Sequence, residues 1–253
     1  MKEIMFFDAN CRIGRFYNGG PSAENVPALL REMDYYGVDK ALVRFNNLAM
    51  SGVNVANRAI AGFMEEDTGK RLTGVWCILP SQCDEIPEPE EFFRGMKANR
   101  IGAITLMPFD HHYVPCRMTL GKMMDAAAER RIPVLLNGFV GKWPELYHFM
   151  EEFPRNVFIY QENVGKWGYD RQIRPLLENY ENFYFETAGY WVPEGIRDLV
   201  EKYGAERILY GSGFPRYNQG NGMLQLKQSG LPAASVELIA CKNLERILKG
   251  AQL

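Results

Sequence analysis

Near the start of the chain, Asp8, Asn10 and Arg12 stand two residues apart where an apolar run, Ile4–Phe7, gives way to polar side chains and then Gly14. Residues two apart on an extended strand share a face, so a carboxylate, an amide and a guanidinium are expected to point together. A carboxylate can carry a proton, and a guanidinium can hold a carboxylate or an oxyanion through two parallel hydrogen bonds. Comparable polar groups recur where later apolar runs end: Arg44, Trp76, Thr105, Asn137, the Gln161-Glu162-Asn163 run, Glu186 and, just after the last run, Arg216. Arg12, Glu162 and Asp8 are therefore the candidate catalytic groups. Asn10, Arg12, Arg44, Trp76, Asn137, Asn163, Glu186 and Arg216 are the candidate ligand-binding groups. Tyr17, Trp143, Trp167, Tyr190 and Trp191 also follow strand ends and offer stacking walls.

Each group also has a purely structural reading. Arg12 could fill a cavity as a buried ion pair with Glu162 or Asp8, and the asparagines could form a satisfied hydrogen-bond network. His111-His112 reads as an exposed loop pair, and His148, between Tyr147 and Phe149, as a packed helical residue. Cys11 is expected to face surrounding helices. Cys116 is a loop cysteine without an assigned base, and Ser212 lacks the glycine spacing of a nucleophile elbow.

The elements that must position these groups follow an alternation of short β-rich runs and longer amphipathic stretches. Strands are predicted at Ile4–Asp8, Ala41–Phe45, Leu72–Leu79, Ile101–Met107, Pro133–Leu136, Val157–Gln161, Phe183–Glu186 and Arg207–Tyr210. Helices are predicted at Ala23–Tyr36, Asn54–Glu66, Pro89–Ala98, Leu120–Arg130, Trp143–Glu152, Gln172–Tyr180, Glu194–Tyr203, Met223–Gln228 and Ser235–Lys249. Strands alternating with crossover helices imply a parallel sheet, and at 253 residues the natural closed form is one (β/α)8 TIM barrel spanning 1–253. An open doubly wound sheet would want a glycine-rich phosphate turn after the first strand, and Asp8–Gly14 does not supply one. The Pro108–Met118 connection is longer than its neighbours need, which in a barrel puts it on the catalytic face.

Composition narrows the partners. Net charge is −2 with no basic block, which gives no footprint for nucleic acid or an anionic membrane. No apolar run reaches spanning length, and Met1-Lys2-Glu3 leads into the first strand without a signal-peptide pattern. The five cysteines are odd in number and form no Cys-x-x-Cys pair, so reduced thiols and a cytoplasmic setting are expected. A homodimer is the base expectation for oligomeric state.

Taken together, the strand ends resemble the amidohydrolase superfamily, in its amidohydrolase 2 branch, over nearly the whole chain. Asp8–Gly14 is similar to that family's opening Asp-x-His-x-His-x-Gly. Pro133–Asn137 is similar to its fifth strand, Val157–Gly165 to its sixth, Ile208–Pro215 to its Gly-Ser-Asp-x-Pro segment and Lys242–Leu248 to its closing helix. The resemblance implies a barrel whose inward strand ends hold a divalent metal through four histidines and an aspartate. Here those places carry Asn10, Arg12, Asn137, Asn163 and Gly213, with Glu162 the alternative on strand six. An amide oxygen is a poor substitute for imidazole, and a guanidinium stays charged and has no lone pair to offer. No metal and no cofactor are therefore expected. The expectation that follows is a barrel that has lost the metal-dependent hydrolase site and binds a small anionic or polar ligand in a non-catalytic or regulatory role. The alternative is a metal-independent hydrolase of lactone or C–N bonds, or a related lyase, acting on a small carboxylated substrate. Metal-free lactone hydrolases of this superfamily are expected to keep the strand-eight aspartate, which Gly213 replaces.

Overall fold

A computed structural model describes residues 4–139, 141–161 and 169–253. Eight parallel strands run in sequence order around one sheet: β1 (Phe7–Ile13), β2 (Lys40–Phe45), β3 (Leu72–Cys77), β4 (Ile101–Leu106), β5 (Pro133–Leu136), β6 (Val157–Tyr160), β7 (Phe183–Glu186) and β8 (Ile208–Leu209). The sheet closes on itself where Ala9 N–H donates to the Tyr210 carbonyl, Gly213 N–H to Asn10 and Arg12 N–H to Phe214. Helices α1 (Val26–Tyr36), α2 (Val53–Glu66), α3 (Pro89–Ala98), α4 (Arg117–Glu129), α5 (Trp143–Glu152), α6 (Arg174–Asn179) and α7 (Gly195–Tyr203) provide the crossovers, followed by α8 (Gln219–Lys227), α9 (Ala233–Glu237) and α10 (Asn243–Gly250). This is the expected (β/α)8 barrel. Among the described residues, no helix is long and apolar enough to cross a membrane.

The first strand differs from its predicted extent. It begins at Phe7 and continues to Ile13, because its polar half pairs with β2 on one side and with the segment after β8 on the other. Ladder hydrogen bonds on both edges keep the chain extended through residues that side-chain polarity alone would assign to a loop. The predicted closing helix is also divided. A π-helical turn at Leu238–Lys242 separates α9 from α10.

Two cores follow from period-2 alternation. Inside the barrel, Phe7, Ala9, Leu42, Val75, Ala103, Leu135, Ile159, Tyr184 and Leu209 form one apolar plug, floored by Leu244 and Ile247 of α10. The opposite strand faces join the buried helix faces in a larger outer core that includes Leu29 and Met33 of α1 and Ile60 and Met64 of α2. Cys11 lies in this outer core, as its place on β1 predicts. Helix α1 starts where the Asn25 side chain accepts from Ala28 N–H and stops at Gly37, whose φ of 78° suits the left-handed C-cap. His148 is corrected by the structure. It lies on the outer face of α5, 65% exposed, beside Glu151 and Glu152.

The seam between β1 and β8 is tied by one buried carboxylate. Asp8 accepts from Asn10 N–H (3.0 Å), Ser212 N–H (2.8 Å), the Ser212 hydroxyl and Gln219 Nε2 (3.4 Å). Burial pushes its carboxyl up from the usual range, against the pull of these hydrogen bonds. The native state therefore holds this proton more tightly than the unfolded chain does. That stability is fully present below the unfolded value and is lost as pH rises through the native one. Asp8→Ala, which strands the Ser212 and Asn10 N–H groups, is expected to cost about 2–3 kcal/mol in urea unfolding at neutral pH. Asp8→Asn keeps an acceptor and removes the buried charge, so it is expected to cost clearly less. Equal losses would show that the seam does not depend on these acceptors.

Candidate functional site at the mouth of the barrel

Two residues beyond the inner apolar ring, the same strands present their next inward side chains: Arg44, Cys77, Thr105, Asn137, Gln161, Glu186 and Gly211. This ring lies at the C-terminal face, where (β/α)8 barrels carry their chemistry. Arg44, Thr105, Asn137, Gln161 and Glu186 are all buried. On β1 the register shifts between Asp8 and Cys11, and a bulge of this kind re-aims side chains. Asn10 consequently reaches across to Glu186, while Asp8 turns to Ser212 and to Gln219 of α8. The expectation that Asp8, Asn10 and Arg12 share one face is thereby corrected, and Asp8 belongs to the seam. Trp76 is corrected too. It sits between the inward Val75 and Cys77, so its ring faces outward, edge-on to Phe92 of α3 at 5.3 Å.

Two hydrogen-bond systems hold the ring. Asn137 Nδ2 donates to Thr105 Oγ1 (2.8 Å) and Gln161 Oε1 (2.9 Å), and Thr105 Oγ1 donates to the Leu135 carbonyl (3.2 Å). Gln161 Nε2 then crosses the barrel to the Ala9 carbonyl (2.6 Å). On the other side, Asn10 Nδ2 donates to Glu186 Oε1 (3.0 Å), and Ala188 N–H donates to Glu186 Oε2 (2.7 Å). Asn10 Oδ1 and Asn137 Oδ1 are buried and have no hydrogen-bond partner among the described residues. A buried acceptor left this way is costly, and each is available to a donor on a bound molecule.

Where β1, β2 and β8 end opens a cavity of about 340 Å³ lined by Arg12, Phe16, Pro21, Asn46, Pro215 and Arg216. Arg12 is half-buried and Arg216 is exposed, its guanidinium 5.6 Å from the centre of the Tyr217 ring. Two cationic groups thus share the entrance. Glu162, Asn163 and Trp167 lie outside the described residues. Of the other expected stacking walls, Trp143 packs on Tyr160 (5.5 Å) and Tyr190 is buried, whereas Tyr17 and Trp191 are exposed. The loop between β4 and α4 lies at this face. His112 is exposed there, but His111 is half-buried and reaches Cys77, which corrects the reading of the two histidines as an exposed pair. Thr105 and Gln161, expected among the strand-end polar groups, join the ring, and Cys77 completes it without having been singled out. Strict alternation from the inner apolar ring was the signal that locates them. Among the described residues, no three or more His, Cys, Asp or Glu side chains are grouped to hold a metal ion.

Comparison with known proteins agrees with this layout. The sequence pattern of one family, described as Amidohydrolase, matches residues 26–250. No curated protein matches the chain. Among solved structures, 5-carboxyvanillate decarboxylase from Sphingomonas paucimobilis is similar, with a TM-score of 0.75 at 13% identity over 98% of this chain and 99% of that one. The 2,6-dihydroxybenzoate decarboxylase from Rhizobium gives 0.74 at 14% identity over 98% and 99%. A probable 2-pyrone-4,6-dicarboxylic acid hydrolase from Acinetobacter baumannii, with citric acid bound, gives 0.70 at 16% identity over 96% and 99%. At these identities the structural likeness establishes the fold.

Gly211 tests the packing of the ring. A Cβ there would stand 1.9 Å from Glu186 Oε2. Gly211→Ala is expected to displace Glu186 and cost about 1–3 kcal/mol in urea unfolding. Gly62→Ala, in α2, where an added Cβ meets nothing within 4 Å, is expected to stabilise by about 0.5–1 kcal/mol.

Proposed function

The chain belongs to the amidohydrolase family, and from that premise we propose that it is a hydrolase or lyase of a small carboxylated molecule, working at the barrel mouth without a divalent ion. The observation that carries the reading is the placement of Arg12 and Arg216 on one 340 Å³ cavity where β1, β2 and β8 end. A guanidinium matches a carboxylate in geometry as well as in charge. Asn10 Oδ1 and Asn137 Oδ1, buried at the same end of the barrel, are unused acceptors for a hydroxyl or amide donor. The structural neighbours named for decarboxylation and for dicarboxylic acid hydrolysis support the same substrate class, although fold alone does not decide chemistry.

The donor set supports the metal-free part. At the described positions where the resemblance implies metal ligands stand Asn10, Arg12, Asn137 and Gly213. The two amides offer only neutral oxygens, poor substitutes for imidazole or carboxylate on a transition metal, a guanidinium has no lone pair for a metal, and Gly213 has no side chain. These residues do not fit a divalent ion. Glu162 is retained as the proton carrier on its residue type and its place after β6.

Calorimetric titration with small mono- and dicarboxylates tests the reading. Arg12→Ala is expected to weaken binding about 10- to 100-fold, the worth of a charge-assisted pair, and to abolish turnover of lactones, amides or aromatic acids. Binding without any turnover would assign a ligand-binding or regulatory role instead. Stoichiometric zinc, manganese or iron in the native protein would overturn the metal-free part.

A further inference from the structure

We propose that Cys77 and His111 form a nucleophile–base pair that opens the carbonyl of a small ester or lactone. The proposal rests on the reading above for its substrate class, and it supplies the nucleophile that reading leaves unnamed. Cys77 ends β3 in the inward ring, opposite Thr105 in register. Its Sγ lies 3.9 Å from His111 Nδ1. The other ring nitrogen, Nε2, lies 3.1 Å from the Leu48 carbonyl oxygen. A carbonyl only accepts, so Nε2 carries the proton and Nδ1 presents its lone pair to the thiol. The thiol also lies 3.6 Å from the Ile78 carbonyl oxygen and must turn from that acceptor to His111 as it reacts; nucleophile, base and a third group that fixes the base's tautomer are thus in one chain of contacts.

The surroundings suit a thiol that needs a base. Burial pushes the Cys77 thiol up to about 12, while the nearby Arg44 guanidinium pulls the other way. At neutral pH the group rests as S–H and must lose its proton as it attacks. The Tyr113 hydroxyl is buried with no hydrogen-bond partner among the described residues; burial pushes its ionisation to higher pH, and a thiolate at Cys77 would push it further. The other cysteines have different settings. Cys11 neighbours Gln219, Cys116 contacts Thr119 at the start of α4, Cys241 joins the barrel floor and Cys83 is exposed.

The step balances without a further reactant. The Cys77 proton passes to His111 Nδ1 as sulfur bonds to the carbonyl carbon and the π pair moves onto oxygen. Collapse breaks the C–O bond, and the leaving alkoxide takes the proton from His111, giving a thioester. Water then attacks the thioester carbonyl and gives a proton to His111, and sulfur leaves and regains it.

The full-length protein treated with 4-nitrophenyl acetate and mapped by peptide mass spectrometry tests the pair. Acetylation is expected at the buried Cys77 ahead of the exposed Cys83. His111→Gln is expected to slow Cys77 acetylation at least about 10-fold, within the usual contribution of a positioned base, and to leave Cys83 unchanged. Cys77→Ser is expected to remove the label at that position while circular dichroism stays native. An unlabelled Cys77 in the native protein, where no variant's folding is in question, overturns the proposal. Equal Cys77 rates in the native protein and a folded His111→Gln overturn it as well. Loss of carboxylate binding in Arg12→Ala is read separately. Acetylation without carboxylate binding would sink the substrate class and leave the pair standing. Carboxylate binding with a silent Cys77 would do the reverse.

Discussion

Closure of a short eighth strand onto the first is the constraint on which this barrel depends. β8 has only Ile208 and Leu209 in regular strand geometry, too few for a ladder to hold the seam alone. The work passes to the segment that follows, where Gly213 N–H and the Phe214 carbonyl pair with β1 and Ser212 is clamped by Asp8. A fully buried carboxylate is costly unless its lone pairs are used, and Asp8 uses them on backbone and side-chain donors from the far edge of the seam. The β1 bulge that turns Asp8 toward Ser212 also aims Asn10 inward. Closure and site geometry thus share one local irregularity.

Most of the architecture was legible in the sequence because it rests on hydrophobic period. Val134, Leu135 and Leu136, or Phe158 and Ile159, are buried on both faces and read as strands whatever their neighbours do. The limits of β1 were not legible, since its polar half is held by partners more than a hundred residues away. The site was partly legible. Arg44, Asn137 and Glu186 lie in the ring because they keep strand alternation, and Asn10 joins them because the β1 bulge re-aims it. Asp8 and Trp76 depart from it for different reasons: a one-residue bulge moved Asp8 out of phase, and Trp76 occupies the outward phase of its own strand. The contact of Cys77 with His111 joins a strand end to a loop, and no spacing rule connects them.

The ring also shows how polar groups can occupy a barrel interior without weakening it. Thr105, Asn137 and Gln161 lie on or just after three successive strands, and their donors are all used, on one another, on the Leu135 carbonyl and, across the barrel, on the Ala9 carbonyl. Gly211 makes room for Glu186 on the opposite side. The acceptors left over, on Asn10 and Asn137, belong to different systems and lie on different strands. The protein thus combines a rigid framework with a small number of open valences, the arrangement expected of a preorganised binding site.

The bond from Gln161 Nε2 to the Ala9 carbonyl joins β6 to β1 across the barrel. It acts as a crossbeam. Below it the space is filled by the apolar plug and closed by α10, so the beam sets how deep the polar end of the barrel can reach. A molecule entering from the C-terminal face is stopped at this beam and does not reach the hydrocarbon beneath it.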